Sequence, residues 1–175
     1  MNDLNKMFII QWYGPFETLE QLKNWEKNNN TSYSFNLYIL TGIEKSQRSY
    51  SHYCGITKQE YIYHRLKYNH DKYPLIKRDL NIWAGRFADP SHINKDNAEL
   101  VESLIISFWQ PELNNRKRKY LPAESVGIIN KWYNKQQKSL QNRRFPAQNL
   151  TDVVIYDLDN REIWTAEQLK RIKVQ

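Results

Sequence analysis

The stretch over residues 35–70 constrains the fold most, because two β-prone runs and a helix-start pattern follow one another within it. The first run spans residues 36–40, and the second spans residues 53–56. The polar loop between them contains Gly42. Two β-prone runs joined by a polar loop with a glycine predict a β-hairpin.

The second run is followed by the pattern of a helix N-terminus. Thr57 and Glu60 form a T-x-x-E capping box. We therefore expect a helix to begin near Lys58 and to continue towards His70. Arg65 lies at helical spacing on the same face as Lys58. One tyrosine from each strand and one arginine from the helix can thus converge beside one face of the predicted sheet.

The order of these polar residues resembles the motifs of the GIY-YIG nuclease superfamily. The hairpin contributes the tripeptides Leu-Tyr-Ile and Tyr-Cys-Gly, although Asn36 stands where the first motif has its glycine. Downstream, the string ESLIISFWQPELN, from Glu102 to Asn114, is similar to the glutamate helix and the trailing asparagine of that superfamily. The resemblance covers roughly residues 35–115, and the shared order of the motifs is a stronger signal than any one of them. The motif residues are Tyr38, Tyr53, Arg65, Glu102 and Asn114.

The resemblance implies a role for each motif residue in hydrolysing a phosphodiester bond. Tyr53 would act as the base or position the attacking water, and Tyr38 would be its partner hydroxyl. Arg65 would clamp the phosphate, since a planar guanidinium matches phosphate geometry. Glu102 would be the sole protein ligand of a divalent cation, Mg²⁺ or Mn²⁺. Asn114 would orient the site.

Two further candidates accompany the motif residues. A tyrosine hydroxyl has a pKa near ~10, so it is a poor base at neutral pH unless nearby cations lower that pKa. Lys58 is our candidate for lowering the pKa of Tyr53. Members of the superfamily often carry a His or Tyr one turn after the arginine. Here that position is Asn69, so either His70 or Tyr68 would take the role.

The composition restricts the classes of partner. The 175-residue chain has a formal net charge of +7 at pH 7, which suits a polyanion, and we expect DNA. A single cysteine, Cys54, excludes an intrachain disulfide framework, and no Cys/His spacing typical of a zinc site occurs. No apolar run approaches the ~20 residues of a membrane span, and no signal-peptide pattern opens the chain. The sequence therefore predicts a cytoplasmic protein with no membrane partner and no small-molecule cofactor.

A basic run follows the last motif residue directly. It consists of Arg116, Lys117, Arg118 and Lys119. Such a run is most often a solvated surface, but its position next to the predicted site leads us to expect contacts with DNA.

The flanks of the motif region predict further elements. Before and within it, we expect a strand over residues 7–16, a helix over 18–27, a strand over 80–87 and a helix over 96–109. After the basic run, we expect a helix over about 122–141, short strands at 153–156 and 163–164, and a final helix from Thr165 onwards.

These elements combine into one α/β (α+β) globular unit. Residues 35–115 would form the nuclease core, a small and mainly antiparallel sheet of about three strands flanked by helices. Residues 1–34 would add a strand and a helix, and residues 116–175 would add a helix, a hairpin and a helix. The expected function is metal-dependent DNA endonuclease, of the restriction, mobile-element or repair type. The alternatives are an inactive nucleic-acid-binding protein with the same fold and an interaction module whose basic charge is incidental.

Overall fold

A computed structural model describes residues 6–29, 34–115, 120–139 and 149–169, and these form a mixed α+β fold. One seven-stranded sheet curls into a half-barrel and carries three α-helices. The small three-stranded sheet that we expected is wrong, because further strands extend the same sheet. The strands are β1 (Lys6–Phe16), β2 (Leu37–Glu44), β3 (Ser51–Ile56), β4 (Ile76–Phe87), β5 (Val126–Tyr133), β6 (Val153–Asp157) and β7 (Glu162–Ala166). The helices are α1 (Leu19–Asn29), α2 (Ile62–Tyr68) and α3 (Lys95–Trp109).

The strand order places the N-terminal strand in the middle of the sheet. The order is β3-β2-β4-β1-β5-β6-β7, with β1 antiparallel to β4 and parallel to β5. The predicted hairpin is present, since β2 and β3 pair in antiparallel register, and β4 pairs with the other edge of β2. Residues 1–34, which we expected only to add a strand and a helix to the core, thus contribute one of the central strands of the sheet.

Helices cover both faces of the sheet. On one face, α3 packs over an apolar layer that includes Trp12, Ile39, Trp83 and Ile128. On the other face, α1 and α2 pack over a second layer that includes Phe16 and Leu40. Strand β2 is therefore buried along nearly its whole length, with only its last residue partly exposed. Its side chains point alternately into the two apolar layers.

The predicted helix over residues 122–141 is wrong, because the middle of that segment, Val126–Tyr133, is strand β5 and the rest of its described residues are not helical. Its residues alternate in a way that suits a strand: Val126, Ile128 and Trp132 are buried on one face of the sheet. Asn130 occupies the same face and accepts a hydrogen bond of 2.8 Å from the Trp12 indole nitrogen. The parallel pairing with β1 is what selects the extended conformation.

The ends of other elements also differ from the predictions. The hairpin at the C-terminus is present as β6 and β7, but Thr165 lies in β7 and does not begin a helix. Residues 170–175 of the predicted final helix lie outside the described residues. Helix α3 begins one residue before the predicted start at residue 96, with Asn94 as its N-cap. Within the described part of the chain, no helix is both long enough and apolar enough to cross a membrane.

Candidate functional site

A cleft of about 770 Å³ opens where the hairpin, α2, α3 and the segment after α3 meet. Six of the seven residues that the sequence proposed for catalysis line it. They are Tyr38, Tyr53, Lys58, Arg65, Glu102 and Asn114. The seventh, His70, packs against the rings of both tyrosines, with ring centroids 5.7 and 4.9 Å away. The structure therefore brings together residues that lie far apart along the chain.

The two tyrosines face each other because of the hairpin register. Tyr38 lies opposite Gly55, and Tyr53 lies two residues before that glycine on the same face of β3. The tyrosine rings stack with centroids 5.9 Å apart. A Cβ atom added at Gly55 would lie 2.7 Å from the Tyr38 hydroxyl and 2.7 Å from the Tyr53 ring. The third residue of the Tyr-Cys-Gly motif must therefore lack a side chain for the rings to meet.

Burial and neighbouring charges raise the pKa values of both tyrosine hydroxyls. Desolvation, with a contribution from the neighbouring Glu102 carboxylate, raises the pKa of Tyr53 to about 12. Desolvation also raises the pKa of Tyr38 well above its usual value. The Arg65 guanidinium acts against burial at both residues, since its positive charge favours the phenolate. Lys58, our candidate for lowering the pKa of Tyr53, lines the cleft but does not contribute to that shift.

Arg65 reaches the cleft because a buried carboxylate holds α2. The capping box that we predicted is wrong: α2 begins at Ile62, and its N-cap residue makes no side-chain capping bond. Instead, Glu26 of α1 accepts the Ile62 and Tyr63 backbone N–H groups at 2.8 and 2.9 Å. Thr57 serves the strand end, accepting the Asn36 backbone N–H at 3.1 Å.

Glu26 is a structural residue that the sequence analysis missed. Its side chain is fully buried. Burial raises its pKa to about 7, although the two backbone N–H donors and Arg86 act in the opposite direction. One sequence signal was available: Glu26 lies four residues after Leu22, so it shares the buried face of the predicted helix.

His70 reaches the tyrosines because α2 ends early. The helix stops at Tyr68, and the chain turns through Asn69. The His70 Nδ1 atom accepts the backbone N–H groups of Lys72 and Tyr73 at 3.1 and 2.8 Å, so the neutral ring carries its proton on Nε2. Burial and the charge of Arg65 lower the pKa of His70 to about 4. Of the two alternatives for this position, Tyr68 is exposed to solvent and does not line the cleft.

Glu102 supplies the buried carboxylate of the cleft. Only 4% of its surface is exposed, and it projects from the middle of α3. No group of three or more His, Cys, Asp or Glu side chains within the described ranges could hold a metal ion. One carboxylate in a polar cleft fits a hard cation of the Mg²⁺ type, which retains several waters and takes its other ligands from a substrate phosphate. Glu99, one turn earlier on α3, lines the same cleft and was not among the predicted residues.

Asn114 lines the cleft, but its side-chain hydrogen bonds go to the backbone of the edge strand β3. Its side-chain amide donates to the Cys54 carbonyl at 2.7 Å and accepts the Cys54 backbone N–H at 2.8 Å. Next to it, the Leu113 backbone N–H donates to the His52 carbonyl, and Glu112 accepts the His52 backbone N–H. These bonds cover the outer edge of β3, so Asn114 fixes the backbone between Tyr53 and Gly55.

The predicted DNA-contacting run lies outside the described residues. It comprises Arg116, Lys117, Arg118 and Lys119. Its neighbours Asn114 and Asn115 line the cleft.

No protein-family model, no curated protein and no solved structure matches this chain. Membership of the superfamily that the motifs resemble therefore stays a prediction.

Proposed function

We propose that this protein is a metal-dependent DNA endonuclease that hydrolyses phosphodiester bonds with a GIY-YIG-type site. One observation carries the proposal: two stacked tyrosines, an arginine and a buried glutamate from four separate elements line one cleft. Packing alone does not explain a buried glutamate at position 102. An apolar side chain would fill the same space without the cost of removing a carboxylate from water. The formal net charge of +7 suits a polyanionic substrate.

The residues divide the reaction between them. Arg65 binds the scissile phosphate through its guanidinium, which also opposes the effect of burial on the tyrosines. Glu102 would hold Mg²⁺ or Mn²⁺, which when bound polarises the phosphate and stabilises the leaving oxygen. Tyr53 holds the attacking water and accepts or relays its proton, and Tyr38 supports that hydroxyl. The negative charge of Glu102 contributes to the raised pKa of Tyr53. A cation bound to Glu102 would offset that charge and so lower the pKa of Tyr53.

The biological role and the cellular location of the enzyme follow from the DNA that it would cut. A restriction-type, a mobile-element or a repair enzyme would use the same site, and these differ in the DNA that they cut. We propose a cytoplasmic location, because restriction, mobile-element and repair enzymes act on DNA inside the cell. The basic run over residues 116–119 would extend the DNA contact from the cleft.

Cleavage of plasmid DNA tests the proposal. The full chain is incubated with supercoiled plasmid and Mg²⁺ or Mn²⁺, with EDTA as the metal-free control. We expect nicked or linear product that requires the metal. Glu102→Gln should lower the rate by at least about a hundredfold, since it removes the charge that binds the cation.

Glu99→Gln is the matched control for this test. It removes the same charge one turn away on α3, where the side chain is exposed. We expect a change of less than about tenfold, because the Glu99 carboxylate is solvated and already lies 3.9 Å from the Lys95 ammonium group. Metal-dependent cleavage that survives in Glu102→Gln would refute the metal role of that residue.

The second candidate function is a nucleic-acid-binding protein that does not cleave. The raised pKa values of both tyrosines favour it, because neither hydroxyl acts as a base at neutral pH unless its environment changes. Salt-dependent binding of DNA without cleavage of any plasmid, linear or branched DNA would support this candidate. No binding to any nucleic acid would refute both functions and favour an interaction module.

A further inference from the structure

A second pocket, of about 350 Å³, lies beside the cleft on the same sheet. Its polar wall comes from neighbouring positions of three adjacent strands. Arg86 on β4 pairs with Gln11 on β1. Leu37, the first residue of β2, pairs with Gly85 in antiparallel register, so Asn36, which precedes Leu37, lies next to Arg86. Asn36 and Tyr38 are two residues apart and so project from the same face, with Cα atoms roughly 6.6 Å apart at strand geometry. The pocket therefore adjoins the proposed catalytic tyrosine.

Arg86 is a partly buried cation whose charge is not closely paired. One terminal nitrogen donates to the Asn29 carbonyl at 2.9 Å, and the guanidinium packs over the Trp25 ring at 4.8 Å. Its Nε atom is buried and has no hydrogen-bond partner. The acidic group that acts on it electrostatically is Glu26, whose two oxygens each accept a backbone N–H group of α2. A buried cation is costly unless an anion accompanies it, and none of the described residues that line the pocket is an Asp or Glu.

A second buried donor without a hydrogen-bond partner belongs to Asn36, a residue that lines the same pocket. Asn36 is 5% exposed, and its Nδ2 atom has no hydrogen-bond partner. Two donors without acceptors, one of them cationic, call for a ligand that offers several acceptor oxygens. The pocket also has an apolar wall, which includes Phe35, Phe87 and Ile93. The volume exceeds that of a phosphate and leaves room for an attached sugar against this wall.

We propose that this pocket binds a phosphate group through Arg86 and Asn36, and that the phosphate belongs to the nucleic-acid strand whose scissile bond lies in the cleft. The first half of the proposal stands on the unsatisfied donors and the pocket alone. The second half rests on the proposed function. The pocket would hold the strand next to Tyr38 and set its register in the cleft, acting on binding rather than on the chemical step.

The first experiment uses inorganic phosphate as the probe. The Nε–H signals of the arginines in the ¹⁵N-labelled full chain are followed by NMR, with chloride at matched ionic strength as the control. The Arg86 signal is assigned by its disappearance in Arg86→Gln. We expect a saturable shift of that signal with phosphate, whereas Arg78, exposed on the same strand, should show no saturable shift. An Arg86 signal that responds equally to phosphate and chloride would overturn the proposal.

Asn36→Asp is the variant that keeps the guanidinium and the fold. The new carboxylate would lie beside Arg86 and supply the missing anion from within the chain, so the melting temperature should not fall. We expect the saturable phosphate shift to disappear in this variant. A phosphate response equal to that of the wild type would overturn the proposal, because it would show that the anion binds elsewhere.

The second experiment distinguishes a strand phosphate from free phosphate. Binding of a labelled DNA duplex is measured over a salt series in EDTA, where metal-dependent cleavage does not interfere. For Asn36→Asp we expect the slope of log K against log salt to be smaller by about 0.9, the value for one phosphate contact. An unchanged slope together with a saturable phosphate shift would overturn the assignment to the DNA strand. Both results are separate from the plasmid assay, which tests the nuclease function itself.

Discussion

At the scale of single residues, the cleft depends on the absence of one side chain. Gly55 lies opposite Tyr38, and the two tyrosine rings occupy the space that a side chain on Gly55 would need. The Leu-Tyr-Ile and Tyr-Cys-Gly patterns are thus two parts of one contact. The glycine allows the rings to stack, and the strand register brings them together.

Gly55→Ala should separate the tyrosines while the sheet survives. The added methyl group would force both rings to move, because it would lie 2.7 Å from each. We expect a loss of about 1–3 kcal/mol in the free energy of unfolding and a fall of about tenfold or more in plasmid cleavage. Gly127→Ala is the control, since its Cβ would meet the flexible end of Met7. Equal cleavage by wild type and Gly55→Ala would contradict this account of the motif.

His70 should remain neutral across the physiological range. Its pKa of about 4 follows from burial and from the charge of Arg65, and its Nδ1 atom is occupied by two backbone donors. We expect its ring signals in NMR to show an Nε2–H tautomer and no titration between pH 6 and 8. A midpoint near 6.5 would show that the ring is solvated and does not pack on the tyrosines.

The same pKa has a consequence for stability. Between about pH 4 and 6.5, the unfolded chain binds a proton at His70 that the folded chain does not. The stability that depends on the neutral ring is therefore present above about pH 6.5 and is lost as the pH falls towards 4.

At the scale of elements, α2 is positioned by a contact from outside itself. A helix of seven residues is too short to be stable by propensity alone, so its position depends on tertiary contacts. The Glu26 carboxylate satisfies its first backbone donors, and Ile62 and Leu66 bury its apolar side. The location of Arg65 therefore depends on α1.

Glu26 should give the protein a distinct dependence of stability on pH. Its folded pKa of about 7 lies above the usual glutamate value, so the folded chain binds the proton more tightly between those values. The free energy of unfolding should therefore fall as the pH rises from about 4.5 to 7, with a slope of at most about 1.4 kcal/mol per pH unit. His70 acts in the opposite direction over part of this range, so the effect is read from wild type minus Glu26→Gln.

The Glu26 variants separate capping from titration. Glu26→Gln keeps an acceptor for α2 but does not titrate, whereas Glu26→Ala removes both functions. We expect Glu26→Ala to be less stable than Glu26→Gln by about 1–3 kcal/mol in chemical denaturation at pH 7.5. Identical pH profiles for wild type and Glu26→Gln would contradict a raised pKa at this position.

Asn114 should protect the edge of β3. Its side chain makes both hydrogen bonds to the Cys54 backbone, and the residue lies in the segment that covers this edge. We expect Asn114→Ala to speed hydrogen exchange at the Cys54 amide by at least about tenfold and to lower stability by about 1–3 kcal/mol. Asn115→Ala, whose side chain is exposed beside it, is the control. Unchanged protection in Asn114→Ala would show that the strand pairing alone orders β3.

At the scale of the whole molecule, the site cannot be separated from the flanks. Strand β1 pairs with both β4 and β5, and the β4 pairing supports the hairpin that carries the tyrosines. Helix α1, which supplies Glu26, also comes from the N-terminal segment. The motif-bearing residues 35–115 therefore depend on chain outside that range.

A fragment of residues 35–115 should not fold by itself. It would expose the edge of β4 that β1 covers, and it would lack the Glu26 carboxylate that caps α2. We expect no cooperative thermal transition by circular dichroism, whereas the full chain should show one. A cooperative transition in the fragment would show that the motif region is an independent domain.

Local patterns in the sequence determined several elements of this protein. Alternating apolar residues predicted β1, and β-prone runs joined by a polar loop or turn predicted the hairpin of β2 and β3 and the hairpin of β6 and β7. Capping patterns and helical periodicity predicted α1 and α3. The order of Tyr38, Tyr53, Arg65 and Glu102 also singled out the residues that the cleft brings together. The strands, hairpins and helices depend on neighbours within a few turns or one hairpin, which a sequence displays directly.

Other features were decided only in the tertiary structure, because their causes lie far away along the chain. The segment of β5 is apolar enough for either a helix or a strand, and pairing with β1, some 120 positions earlier, selects the strand. The start of α2 is chosen by Glu26, which lies 36 residues before Ile62. Asn114 likewise binds a strand 60 positions away. Such long-range hydrogen bonds form only when the sheet assembles, so no local pattern encodes them.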